Sequence, residues 1–258
     1  MPANDLTLLT DAALAAAETA TRFIGGPLDV TLKSDDSPVT AADLAVNALL
    51  SDRLQCARPH YGWLSEESVD DPTRLAAEHT FIIDPIDGTR SFIAGEDTWA
   101  HSLAIARNGQ ITAAVVYLPL KDKLYTAALG QGARLNGSAI AVAAPTTLSA
   151  ANVLTTKPNL DPHHWHGAVP DFRRSHRPSL AYRLSLVAEG RYDAMFTLRP
   201  SWEWDIAAGA LILTEAGAKI SDKTGEPLQF NNPHPQLNGV VAGAEFVWQE
   251  VLDGLRRS

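Results

Sequence analysis

Apolar residues recur along this chain with two different periods, and the change of period organises it. Leu6, Leu9, Ala13, Ala16 and Ala20 stand at helical spacing, so residues 5–24 are predicted as an amphipathic helix that Gly25-Gly26-Pro27 stops. Residues 28–39 are polar and turn-rich, and read as extended. Thr40 then caps a second helix, with Asp43 in its first turn and Leu44, Leu49, Leu50 and Leu54 on one side. Residues 61–64 form a short strand running into Glu66-Glu67, and the apolar run 80–83 ends abruptly in Asp84-Pro85. From Trp99 the pattern is that of strands: 99–106, 111–118 and 123–128, separated by Asn108-Gly109 and Pro119-Leu120, as in an antiparallel meander.

Beyond residue 150 strands and helices alternate. A strand at 152–156 precedes a loop at 158–178 rich in Pro and His, then come a helix at 180–189, a strand at 192–198, a helix at 204–216, a strand near 238–242 and a terminal helix at 245–256. The stretch 143–152 separates the two regimes. This predicts an α+β N-terminal domain over 1–145 and an α/β domain over 146–258, with any site built in the cleft between them.

Composition narrows the class. The 258 residues carry 30 Asp+Glu against 21 Lys+Arg, a net charge of −9, which argues against a stable nucleic-acid complex because such binders present basic patches. Hydrophobic residues at 45% and charged residues at 20% exclude a disordered tail. The start shows no basic n-region and no run of about 20 apolar residues occurs, so neither export nor membrane insertion is expected. A single Cys56 excludes an internal disulfide and fits a cytoplasmic protein. An anionic small substrate remains compatible with the charge, provided metal ions reverse the local field.

Three acidic groups carry the candidate chemistry. Asp84-Pro85-Ile86-Asp87-Gly88-Thr89 puts two carboxylates three residues apart at the end of an apolar strand, where Pro85 fixes one φ and Gly88 permits a tight turn. Hard divalent cations take such oxygen ligands, although the same residues also build an ordinary Asx turn. Glu66-Glu67 alone reads equally as a solvated loop, and Asp43 as an acid favoured by a helix N-terminus. Asp205, in Trp202-Glu203-Trp204-Asp205, opens a helix whose small residues 207–210 allow close approach to a neighbour. His163-His164-Trp165-His166 resembles a metal cluster but sits in a Pro-rich loop, and hard cations do not call for imidazole.

Taken together, SEES at 65–68, DPIDGTRSF at 84–92 and WDIAAG…EAGA at 204–218 resemble the inositol monophosphatase superfamily, in its order, over residues 5–243. The resemblance implies a layered α-β-α-β-α sandwich of the sugar-phosphatase type and a Mg²⁺-dependent, lithium-sensitive phosphomonoesterase holding two to three ions. It implies Glu66, Asp84, Asp87, Asp205 and the Ile86 carbonyl as metal ligands. Glu66 and Thr89 would position and activate the attacking water. Gly88 and Thr89 would cradle phosphate, with Asp87, Arg183 and Asp205 contributing to the substrate site. Asp43 matches an acid of the catalytic set associated with a third, weaker metal. The usual GEE is Ser65-Glu66-Glu67 here and the usual EAGG ends at Ala218; neither departure removes a ligand. Homodimers are common in the family.

Less specific residues address the substrate. Trp202-Glu203-Trp204-Asp205, Ser65-Glu66-Glu67, residues 97–101 (DTWAH) and Thr155-Thr156-Lys157 are similar to the CysQ-type 3′(2′),5′-bisphosphate nucleotidase branch. Arg183 falls where that branch has a Lys facing the distal phosphate, and its planar fork suits phosphate oxygens. The expected reaction is hydrolysis of adenosine 3′,5′-bisphosphate to AMP and phosphate. Inositol-1-phosphate is the alternative, since residues 187–193 (VAEGRYD) are common to both branches. Histidinol phosphate follows, on DGTR-x-FI, and then a non-catalytic binding regulator.

Overall fold

The meander closes into one seven-stranded sheet. In the computed structural model, which describes residues 2–144 and 147–256, its order is Gly62–Ser65, His79–Asp87, Ala100–Arg107, Gln110–Leu118, Lys123–Ala128, Ala133–Leu135 and Ser138–Ala139. The first two strands run parallel and every later pairing is antiparallel. Phe81, Ile83, Leu103, Ile105, Ala113 and Val115 cover one face and pack against α1 (Pro2–Thr21) and α2 (Ala41–Ala57). Their alternate neighbours Ile82, Ala104, Ala114 and Val116 face the other way. The sheet is therefore buried on both sides, which is why the 80–83 run is continuously apolar.

A second sheet has the order Arg173–Ser175, Asn152–Leu154, Ala194–Thr197, Val240–Gly243 and Lys219–Ser221, parallel over the first three strands and antiparallel thereafter. Following the five-residue α3 (Thr89–Ile93), helices α4 (Leu180–Ala188) and α5 (Glu203–Glu215) fill the space between the two sheets. The outer face of the second sheet, with Val153, Ala194, Phe196 and Val241, is covered by α6 (Glu245–Gly254) and the fully buried Trp165. The layers read α-β-α-β-α. Gly209 permits the α4–α5 contact: a Cβ there would lie 2.6 Å from the Leu184 side chain.

Some expectations shift. Thr40 does cap α2, and Asp43 completes a capping box by accepting from the Thr40 backbone N–H. Leu44, however, is exposed, and Val46 joins Leu50 and Leu54 in the core. Helix α1 ends at Thr21 rather than 24. The strands Arg173–Ser175 and Lys219–Ser221 lie in stretches that carry too few apolar residues to show a period. The expected domain boundary falls on Pro145 and Thr146, outside the described residues. Among the described residues no helix is long and apolar enough to cross a membrane.

Candidate active site

Parallel pairing of the first two strands builds the site. Ser65 stands opposite Ile83, so the next residues, Glu66 and Asp84, emerge side by side, and the Glu66 N–H donates to the Ile83 carbonyl. Asp205, in the first turn of α5, meets them from the central helix layer. Carboxylate oxygens of Glu66, Asp84 and Asp205 all lie within 4.8 Å of one another. Asp84 is buried, Glu66 and Asp205 are half-buried, and among the described residues no other cluster of His, Cys, Asp or Glu converges in this way. The three acids come from stretches separated by 18 and 121 positions, which local sequence could not reveal as neighbours.

The other motif acids are engaged differently. Asp87 is held by α4: its Oδ2 accepts from the Ser179 hydroxyl and the Ala181 N–H, both at 2.7 Å. Its Oδ1 takes no part in either bond. Asp43 Oδ2 accepts from the Thr40 N–H and hydroxyl, while Oδ1 accepts from the Thr89 hydroxyl at 3.2 Å. Thr89 also stands 3.2 Å from the Ile86 carbonyl. The Asp84 Oδ1 accepts from the Ile86 N–H at 2.9 Å, so the Asx turn and the acidic cluster coexist in one loop. Gly88 has φ +102°, a left-handed conformation open to glycine, and it starts α3 at Thr89.

Negative charge dominates the site. Burial, then the charges of Glu66, Asp87, Asp205 and Asp43, push the Asp84 carboxyl well above the usual carboxylate range. Burial followed by Asp87 and Glu66 does the same to Asp205. Asp87 is pushed up to about 6 by burial, against the pull of the Ser179 and Ala181 hydrogen bonds. Burial also raises Asp43. Glu67 is raised to about 7, chiefly by burial, with Lys33 opposing. The candidate donor atoms are hard oxygens in like-charged surroundings, so the set fits a hard divalent cation and not a soft metal.

Lys33 is a residue that motif reading misses. Its Nζ sits 2.8 Å from both Glu66 Oε1 and Glu67 Oε1. Burial alone would lower its ammonium, but the two glutamates outweigh that and raise it. The available signal was that Lys33 is the only cation in the stretch 28–39. Ser179 was legible too, as a Ser between Pro178 and an apolar run, which is an N-cap signature.

A cavity of about 500 Å³ opens from the cluster, lined by Glu66, Gly88, Thr89, His176, Ser179 and Arg183 among others. Arg183 is 8% exposed; its Nε donates to the Arg177 carbonyl and its Nη2 to His176 Nε2, the latter at 2.9 Å. Other residues tied to the substrate lie elsewhere. Glu203 is fully buried and accepts from the Asn231 N–H and from the Asn232 N–H and side-chain amide. Trp202 stacks on Trp204 at 4.8 Å and meets His234 edge-on. Thr155 is buried, donating to the Phe196 carbonyl. The contacts of these three are with the protein's own residues. His163 and His164 line a separate cavity with Lys223 and Arg256.

Known proteins resemble this chain over nearly its whole length. An inositol-1-monophosphatase of Rhizobium meliloti (strain 1021) is 34% identical over 266 aligned positions, covering 98% of this chain and 96% of the relative. The Nus factor SuhB of Escherichia coli (strain K12) is 32% identical over 242 positions, covering 89% of this chain and 86% of SuhB. The crystal structure of the extragenic suppressor protein SuhB from Bartonella henselae superposes with a TM-score of 0.83 at 30% identity, covering 99% of each chain. With the profile of the inositol monophosphatase family matching residues 3–256 as well, this chain belongs to that family of metal-dependent phosphomonoesterases.

Proposed function

We infer that the protein hydrolyses a small phosphate monoester with the help of two to three Mg²⁺ ions, and that adenosine 3′,5′-bisphosphate is its substrate. The observation that carries the phosphatase reading is the convergence of Glu66, Asp84 and Asp205 beside the Gly88–Thr89 turn. Divalent cations, when bound, supply positive charge to phosphoryl oxygens and acidify water. Glu66, Asp84, Asp205, the free oxygen of Asp87 and the Ile86 carbonyl would hold them.

The chain's own groups handle the proton and the ester. With its hydrogen given to Asp43 Oδ1, the Thr89 oxygen has a lone pair free to orient a water. Asp43 acts through Thr89, because its second oxygen is consumed by Thr40. Glu66 stands ready to accept a proton from that water. The backbone at Gly88 and Thr89, opening α3, would receive the phosphate, and Lys33 would withdraw from Glu66 as cations enter. Arg183, held by His176 and the Arg177 carbonyl, presents a fixed cation to the leaving group. A second phosphate on that group matches it, which favours the bisphosphate nucleotide.

The relatives named inositol-1-monophosphatase support inositol-1-phosphate as the second reading. A panel of adenosine 3′,5′-bisphosphate, inositol-1-phosphate and histidinol phosphate, with and without Mg²⁺, separates them. The nucleotide should be turned over fastest, and Arg183→Ala should raise its KM at least tenfold while sparing inositol-1-phosphate. If Arg183→Ala leaves the nucleotide unaffected and inositol-1-phosphate is the better substrate, the nucleotide reading fails. No Mg²⁺-dependent release from any ester defeats the enzyme reading and leaves a binding role, as the relatives named Nus factor suggest. A cytoplasmic setting is supported by the free, exposed Cys56.

A further inference from the structure

The loop that carries the acidic pair is irregular. His79–Asp87 and Ala100–Arg107 pair in register up to Asp84 opposite Ser102, and again at Asp87 opposite Ala100. Between those points two residues, Pro85 and Ile86, face one, His101, so the ladder pairs neither of them. This one-residue excess changes which way the backbone turns between Asp84 and Asp87. Pro85 is buried at this irregularity, and a buried carbonyl needs a hydrogen-bond donor.

His101 supplies it. The side chain is fully buried, and its Nδ1 is hydrogen-bonded to the Pro85 carbonyl. A carbonyl only accepts, so Nδ1 carries the proton. The other nitrogen, Nε2, is buried with no hydrogen-bond partner. Trp99 fixes the ring edge-on at 5.4 Å. Burial depresses its basicity to a pKa of about 4, so the ring is neutral and reaches no solvent. A histidine in this setting exchanges no proton with a substrate. What it does is hold one backbone oxygen, next to the peptide whose own carbonyl, Ile86, faces Thr89.

We propose that His101 is a positioning residue of the cation site: its Nδ1–H holds the Pro85 carbonyl at the bulge and fixes the 85–86 peptide, so that Asp84, the Ile86 carbonyl and Asp87 present their oxygens together. The inference rests on reading the acidic cluster as a divalent-cation site. It goes beyond that reading because His101 touches no cation and no substrate. A leucine or valine would fill the same space, and only a donor at the Nδ1 position meets the Pro85 carbonyl.

The test is calorimetric titration of the full chain with Mn²⁺, no ester present, on wild type, His101→Leu, His101→Gln and His101→Asn. Asn places its amide nitrogen near the position of Nδ1, whereas Gln carries its nitrogen farther out. The Leu and Gln variants should bind Mn²⁺ about tenfold more weakly, equivalent to about 1.4 kcal/mol and in the range of one buried hydrogen bond. Asn should stay within about threefold of wild type. Substrate KM at saturating metal should be unchanged in all three. If Leu fails to fold, judged by thermal unfolding in EDTA, Gln against Asn makes the same comparison. Wild-type affinity in Leu or Gln, or equal losses in Gln and Asn, overturns the proposal while the cation-site reading stands. Failure of the wild type itself to bind Mn²⁺ overturns both.

Discussion

Asp205 offers the sharpest test of the acidic cluster, because its removal should have opposite effects with and without cations. Its oxygens lie within 4.8 Å of those of Glu66 and Asp84. Two unit charges at that separation repel by about 3.5 kcal/mol at an effective dielectric constant of about 20. Arg199 and Lys33 offset part of this at Asp205, and proton uptake by the raised carboxyls relieves more. A residual strain of about 1–2 kcal/mol is then stored in the cation-free protein, so Asp205→Asn should stabilise it. For a chain of this size that corresponds to a rise in Tm of about 2–8 °C. Saturating Mg²⁺ should reverse the order: wild type gains about 2.7 kcal/mol at one hundred times the dissociation constant, and the variant gains little. Thermal unfolding at pH 8 in EDTA and in excess Mg²⁺ reads both signs. A variant less stable than wild type in EDTA, or equally stabilised by Mg²⁺, would refute the reading that these acids are held together for a cation.

Other outcomes follow from the same geometry. Cation-free protein should lose stability as pH rises from about 4 through about 6. Asp87 is raised in the folded state, so the folded chain holds more protons than the unfolded chain there; its rise from 3.8 to about 6 accounts for about 3 kcal/mol. Urea midpoints at pH 4, 6 and 8 in EDTA check the sign. Asp87→Asn should abolish phosphate release at saturating substrate and modest Mg²⁺; retained turnover would contradict its place in the site. Glu203→Ala should cost about 3 kcal/mol of stability by removing the fully buried acceptor of three hydrogen bonds, with no change in the ratio of nucleotide to inositol-1-phosphate turnover. A changed ratio would restore Glu203 as a specificity residue. Gly88→Ala should cost about 1–2 kcal/mol because φ is +102°, and should lower kcat more than it alters folding; unfolding curves and initial rates measure the two.

Lys33 explains how such a cluster can exist before cations arrive. A single ammonium between Glu66 and Glu67 is a poor substitute for divalent charge, yet it reduces repulsion at the cluster's rim. Its hairpin is held by pairing of Thr31–Leu32 with Pro38–Val39 and by the Lys33 N–H donating to the Ser37 carbonyl. Withdrawal of this one long side chain would exchange an ion pair for a coordination site without disturbing the sheet.

The period of the apolar residues determined nearly every long element here, because burial of both sheets leaves a run or an alternation that local sequence must carry. The Thr40 cap, the breaks at Gly25-Gly26-Pro27 and Asn108-Gly109, and the small residues of α5 were equally local, since caps and turns act over three or four positions. The ligand acids could be nominated from their motifs. What only the tertiary structure decided was their division of labour. Asp87 and Asp43 have the same side chain as Asp84 and Asp205, yet Ser179, Ala181, Thr40 and Thr89 claim their oxygens. Glu203, which looks like a specificity residue beside Asp205, points away because residues on one helix turn are about 100° apart, and Trp202 lies in the short strand before α5, stacked on Trp204. His101 acquired a role only through a bulge between two strands, a feature of pairing that neither strand carries alone.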